Sequence, residues 1–118
     1  MIMRGPIFYI FLAFLVSTRI FSQDFVNGLD DIPLFSGMNG VDDTFVIFDK
    51  VDGRYVYSEI EGEATLKKVK NFYETILPNL GWSVAKKNFY QRGQETLEIK
   101  FETDKNITKV IFSIFPKK

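Results

Sequence analysis

The chain has 118 residues, which is room for one domain, and it contains no cysteine and no histidine. Disulfide bonds, Cys–His and Ser–His–Asp catalytic systems, and zinc sites built on Cys or His ligands are therefore excluded. Acidic and basic residues number 15 each, so the chain lacks the basic excess typical of a nucleic-acid-binding protein.

Residues 1–22 have the layout of a secretory signal peptide. Arg4 supplies a short positive region, residues 7–16 form a ten-residue apolar run, and Ser22 is a small residue at the expected cleavage site. A free membrane-spanning helix needs about 20 apolar residues, so cleavage near Ser22 and export are predicted. The alternative is an uncleaved anchor that holds the protein on the inner membrane, facing the periplasm.

Charge is distributed unevenly in the remaining residues, which carry 15 acidic and 13 basic side chains and a net charge of −2. Residues 23–63 hold ten acidic side chains against two basic ones, whereas residues 64–118 hold five against eleven. We expect the two parts to lie beside each other in one domain and partly to compensate. A basic face for an anionic surface or an acidic partner is the alternative.

Residues 23–43 show no sustained periodicity and include three glycines and Pro33. This pattern predicts an extended N-terminal strap rather than a helix or a regular strand. Its apolar residues are too many for a solvated linker, so we expect it to pack across a sheet edge or the end of a helix. Alternatively, residues 31–37 (DIPLFSG) bind a partner.

Two β-branched and aromatic runs, residues 44–49 and 54–61, flank the turn residues Asp52 and Gly53 and predict a hairpin. In the second run Val56, Ser58 and Ile60 share one face, and we expect Gly62 to end the strand.

Residues 66–82 predict the helix of the mature protein, because apolar residues recur there at three- and four-residue steps. Thr65 is the expected N-cap. Pro78 disfavours helical geometry at the preceding residue, so the helix should end near Leu77. Gly81 can then take the left-handed cap, with Trp82 folding back on the helix.

Beyond the helix the period changes from 3.6 to 2, which predicts strands at residues 82–86, 88–92, 95–102 and 107–115. The last strand is apolar on both faces and is expected to be central or covered by the strap. The predicted fold is therefore α+β and two-layered: a mainly antiparallel five- to six-stranded sheet (β-hairpin, helix, β-meander) with one helix on one face. Residues 44–118 form this domain.

Carboxylates are the abundant catalytic groups that remain, and the adjacent pairs Asp30–Asp31 and Asp42–Asp43 and the nearby Asp49 and Asp52 are the candidates for a small hydrolase. A domain with one helix offers little room for a cleft, so an enzyme is the less favoured class. Another candidate surface combines aromatic residues with basic ones, although we expect helix or strap to cover that face. Its residues are Tyr55, Tyr57, Phe89, Tyr90, Lys86, Lys87 and Arg92.

Four segments, DIPLFSG, FDKVDGR, FYETILPNLGW and FYQRG, occur in that order. They resemble a group of small exported proteins of alphaproteobacteria that share D-I-P-L-x-x-G, F-D-K-x-x-G-R and F-Y-x-x-x-L-P-x-L-G-W stretches and have no assigned function. The resemblance covers most of residues 31–92 and implies a periplasmic α+β domain, with no activity, cofactor or ligand. Asp49, Arg54 and Trp82 match its motif positions, and a role in the hairpin or the helix cap explains each.

The sequence thus favours a non-enzymatic periplasmic binding or envelope-accessory module without a cofactor or metal, which contacts an envelope protein and no nucleic acid. Contact with the membrane is expected only through an uncleaved N-terminal segment. The candidate binding residues, each with a structural role as the alternative, are Asp31, Pro33, Asp49, Lys50, Arg54 and Trp82.

Overall fold

A computed structural model describes residues 24–117, apart from the side chain of Asp42; the predicted signal peptide lies outside the described residues. Helix α1 is Leu66–Asn79, and a 3-10 turn covers Asp42–Thr44. The strands are β1 (Phe25–Val26), β2 (Leu29–Pro33), β3 (Asn39–Gly40), β4 (Val46–Lys50), β5 (Gly53–Glu63), β6 (Ser83–Lys86), β7 (Phe89–Arg92), β8 (Glu95–Asp104) and β9 (Ile107–Pro116).

Within the described residues, one antiparallel seven-stranded sheet has the order β3-β5-β9-β8-β7-β6, with β4 also paired to β5. Strands β3 and β4 follow one another along the same edge of β5, so the sheet is six strands wide. Strand β9 lies between β5 and β8, which confirms the prediction that the last strand is central. The α+β class, with one helix packed against a mainly antiparallel sheet, is likewise confirmed.

The hydrophobic core lies between one sheet face, the helix and the N-terminal strap. Sheet residues such as Val56, Ile60 and Phe112 contribute to it, and Tyr73 of α1 packs edge-on against Phe112 with 5.3 Å between ring centroids. We call this side of the sheet the core face. Because side chains alternate along a strand, the neighbouring residues project from the opposite side.

Both ends of α1 are capped by local hydrogen bonds. The Thr65 hydroxyl accepts from the Lys68 amide at 3.3 Å, which confirms the N-cap. The helix continues through Pro78 to Asn79, two residues beyond the predicted end, because a proline in the last turn removes a single hydrogen bond. Gly81 has φ +94°, and the Trp82 amide donates to the Leu77 carbonyl at 3.0 Å, so the chain leaves through a Schellman cap.

The N-terminal strap is more regular than expected. It contains the antiparallel pair β1–β2 and the two-residue β3, which pairs with Glu61 and Ile60 at the edge of β5. Its apolar residues reach the core, where Val26, Leu29 and Ile32 are at most 1% exposed. The expected packing across a sheet edge is confirmed, and the strap also contacts the helix, where Phe35 packs edge-on against Phe72.

Gly62 does not end β5, which continues to Glu63. A Cβ atom at this position would lie 2.8 Å from the carbonyl oxygen of Gly37 and 3.0 Å from Cα of Met38. Glycine therefore lets the strap approach the strand closely, and it does not break the strand here.

Ion pairs connect the acidic and basic parts of the chain. Arg92 pairs with Asp31 and Lys109 with Glu59, so some opposite charges of the two parts compensate within one chain, as predicted. Among residues 24–117, no helix has both the length and the apolar character needed to cross a membrane.

Candidate functional site: the open face of the sheet

The sheet face opposite the core carries apolar and aromatic side chains that remain accessible. Helix and strap both pack on the core face, and among residues 24–117 Val46, Phe48 and Tyr57 stay 48%, 46% and 36% exposed. The prediction that helix or strap covers the face of Tyr55 and Tyr57 is therefore wrong. We call this side the open face.

Strand register places the residues of the open face in rows across the sheet. One row crosses all six strand positions and consists of Val46, Tyr57, Ser113, Glu98, Phe89 and Lys86. In the next row Phe48 lies opposite Tyr55, with the two rings stacked at 5.2 Å between centroids and 10° between planes. The open face therefore presents a stacked aromatic pair at its β4 end.

Lysine side chains lie over rings of this surface. Lys50 Nζ lies 5.7 Å from the Phe48 centroid and 5.2 Å from that of Tyr55, and Lys86 Nζ lies 4.7 Å from that of Phe89. The Tyr55 hydroxyl donates to Asp52 Oδ2 at 3.0 Å, and this hydrogen bond raises the pKa of the phenol. These contacts hold the rings in place, and Phe48 stays 46% exposed.

Phe115 borders three neighbouring depressions of the open face. One of about 210 Å³ lies along β4, β5 and β9, and one of about 420 Å³ reaches Asp52 and Lys117. The third, of about 350 Å³, lies toward β6 and includes Lys86 and Phe89. Together they form an interrupted groove that runs across the strands on both sides of Phe115.

The other half of the open face is charged. Tyr57 donates to Glu59 Oε2 at 2.5 Å, and Glu59 Oε1 lies 3.5 Å from Lys109 Nζ. The hydrogen bond to Glu59, followed by partial burial, raises the pKa of Tyr57 to about 12. Since Glu59 itself is only 8% exposed, its charge is satisfied between Tyr57 and Lys109.

An acidic depression of about 750 Å³ lies at the end of the sheet away from the β4–β5 turn. Its charged side chains are Glu61, Glu63, Glu102, Asp104 and Lys109. Of the described side chains in the predicted carboxylate pairs, none lines it. Among the described residues no group of three or more acidic side chains is arranged to hold a metal ion.

Two of the predicted binding residues meet through a third side chain. Arg92 Nη1 donates to Asp31 Oδ2 at 2.6 Å and to the Leu80 carbonyl at 2.9 Å, while its guanidinium carbon lies 4.3 Å from the Trp82 ring centroid. Arg92 thus joins the strap, the helix end and the meander. This role was hard to predict from the sequence, because Arg92 and Asp31 are 61 residues apart.

The remaining predicted residues lie apart from one another. Arg54 forms a two-point ion pair with Glu95, at 2.6 and 3.2 Å, and this hydrogen bonding raises the pKa of the guanidinium. The Pro33 carbonyl accepts from the buried Tyr73 hydroxyl at 2.9 Å. Asp49 is exposed on β4 opposite Arg54. Of the six predicted residues, Lys50 is the one that lies on the open face.

The aromatic surface was partly foreseen from the sequence. Tyr55, Tyr57 and Phe89 do lie on the open face, but Tyr90 is buried in the core, and burial raises the pKa of its phenol. Phe48 and Phe115 were missed. Phe48 reaches the open face because the hairpin register places it opposite Tyr55, and Phe115 because it follows the core residue Ile114 on the same strand.

No protein-family model matches the chain, and no curated protein or solved structure is significantly similar to it.

Proposed function

We propose that the protein is a non-enzymatic exported module of the bacterial envelope that binds a protein partner through its open face. The observation that supports this most directly is the stacked pair Phe48 and Tyr55, which lies beside the depressions around Phe115 on a face left accessible within residues 24–117. Contiguous exposed apolar surface on a folded domain is typical of interaction sites, and aromatic residues are enriched in them.

The arrangement of charges is consistent with such a surface. The aromatic half is bounded by Lys50, Asp52 and Lys117, and the charged half by Glu98 and Lys100, which lie 3.8 Å apart. An apolar centre with a mixed polar border is the usual composition of a protein–protein interface. A partner that inserts apolar side chains beside Phe115 fits this surface.

Affinity capture from envelope extract tests the proposal. Tyr55→Ser/Phe115→Ser removes two aromatic rings from the groove without altering the core, and Val84→Ser is the matched control. Val84 is 66% exposed and projects from the core-face side of β6, opposite Tyr90. A partner retained by the wild type and by Val84→Ser, and lost by the double variant, supports the proposal. Retention by all three contradicts it.

Export is tested separately, by N-terminal sequencing of the protein recovered from the periplasm. A mature start near Gln23 is expected from the sequence. A start at Met1, with the protein in the membrane fraction, would support the anchored alternative and contradict cleavage.

A further inference from the structure

Strand β4 is an edge strand whose outer side is left unpaired. Among the described strands it pairs only with β5. Val46, Ile47 and Phe48 are 48%, 50% and 46% exposed, although they project alternately from both faces of the sheet. Side chains of an edge strand stay about half exposed on both faces, because a neighbouring strand covers them from one side only.

The opposite edge of the sheet is irregular, whereas the apolar part of β4, Val46–Phe48, is regular and carries no charge. At that edge β6 has a register shift between Val84 and Lys86 and ends in a lysine, both of which hinder pairing with another strand. Strand β4 also ends in charged residues, Asp49 and Lys50, but it pairs with β5 without a shift, contains no proline, and its first three residues are apolar. Natural sheets avoid such an edge unless something pairs with it.

We propose that β4 pairs antiparallel with β4 of a second copy about a two-fold axis at Ile47, forming a homodimer with one continuous sheet. In this register Ile47 lies opposite Ile47 of the partner copy, and Val46 lies opposite Phe48 on the open face. The triplet Val46–Phe48 of one copy therefore pairs with the same triplet of the other copy, as a two-fold interface requires. Cross-strand pairs of β-branched and aromatic residues are favourable.

Charge selects this register over its neighbours. An axis at Phe48 would place Asp49 opposite Ile47 and Lys50 opposite Val46. An axis at Asp49 would place two like charges directly opposite each other, which is destabilising. With the axis at Ile47, Val46, Ile47 and Phe48 pair with one another, while Asp49 and Lys50 lie opposite Phe45 and Thr44, which precede the strand. The net charge of −2 after residue 22 adds little repulsion between two copies.

Sedimentation of the mature protein tests the dimer. The wild type is expected to sediment as a dimer, and Ile47→Lys as a monomer, because a lysine at the axis places two ammonium groups opposite each other. Val84→Lys, which introduces the same charge at the other edge, should remain dimeric. Circular dichroism checks that each variant folds. A monomeric wild type, or an Ile47→Lys variant that folds and stays dimeric, would overturn the proposal.

Single cysteines test the register, since the chain has no cysteine of its own. Residues directly opposite in an antiparallel pair have Cα atoms about 4.5–5.5 Å apart, which suits a disulfide. Ile47→Cys should therefore oxidise to a covalent dimer. In the proposed register the two copies of position 49 are offset by about four residues, or about 13 Å along the strands, so Asp49→Cys should not cross-link. Cross-linking at 49 and not at 47 would exclude the axis at Ile47.

The dimer does not depend on the partner proposed for the open face. Tyr55→Ser/Phe115→Ser removes the ring stacked on Phe48 but keeps every residue of β4, so it should stay dimeric, whereas Ile47→Lys leaves both groove residues in place. A negative result for one proposal therefore does not count against the other.

Discussion

The guanidinium carbon of Arg92 lies 4.3 Å from the centroid of the Trp82 ring, while Nη1 of the same side chain contacts Asp31 at 2.6 Å. The Arg92 side chain therefore contacts both the C-terminal cap of the helix, at Trp82, and the strap, at Asp31. Cation–π stacking and a charge-assisted hydrogen bond each favour a planar guanidinium over an ammonium.

Arg92→Lys should therefore destabilise the protein by about 1–2 kcal/mol, although the charge is kept. The free energy of unfolding from urea titration measures this. Asp31→Asn should cost less, about 0–1 kcal/mol, because the Asp31 side chain is 44% exposed. Equal stability of Arg92→Lys and wild type would show that the stacking contributes nothing.

Trp82→Ala is expected to cost about 3–5 kcal/mol, because it removes a side chain that is 1% exposed and packed in the core. Leu66→Ala at the start of the same helix is the control, since Leu66 is 39% exposed. A decrease in the free energy of unfolding below about 1 kcal/mol for Trp82→Ala would show that Trp82 is not part of the core.

Gly62→Ala tests the close approach of strap and strand. The added Cβ would meet backbone atoms of Gly37 and Met38 at 2.8 and 3.0 Å, so we expect a loss of about 1–3 kcal/mol. Glu61→Ala, at the exposed neighbouring position in β5, should change stability by less than about 0.5 kcal/mol. Similar values for the two variants would contradict the packing described for the strap.

Alkaline pH should weaken the Tyr57–Glu59 contact. The pKa of Tyr57 is raised from 10.0 to about 12 in the folded protein, so its contribution to stability is fully present below pH 10 and is lost as the pH rises through about 12. The stability difference between wild type and Tyr57→Phe should therefore be constant below pH 10 and shrink above it. A difference that stays constant across this range would show that Tyr57 titrates normally.

Local patterns were sufficient to predict the hairpin, the helix and the meander. Thr65 and Gly81 mark the helix ends through their own chemistry, and the alternation in β8 separates Leu97 and Ile99 from exposed Lys100. These signals act over a few residues, so the sequence shows them directly.

What the sequence did not show depends on contacts between distant segments. The role of Gly62 follows from Gly37, and that of Arg92 from Asp31. The covered face of β5 was also ambiguous, because Tyr55 and Tyr57 on one side are about as suited to burial as Val56 and Ile60 on the other. Only the placement of the helix decides which side becomes the core.

The binding role of the open face is tested most directly by the affinity of a partner captured by the wild type. Titration calorimetry should show at least roughly tenfold weaker binding for Tyr55→Ser/Phe115→Ser, since buried aromatic anchors carry much of the binding energy of an interface. Binding by Val84→Ser should equal that of the wild type. A double variant that folds normally and binds with unchanged affinity would contradict the assignment of the open face as the binding surface.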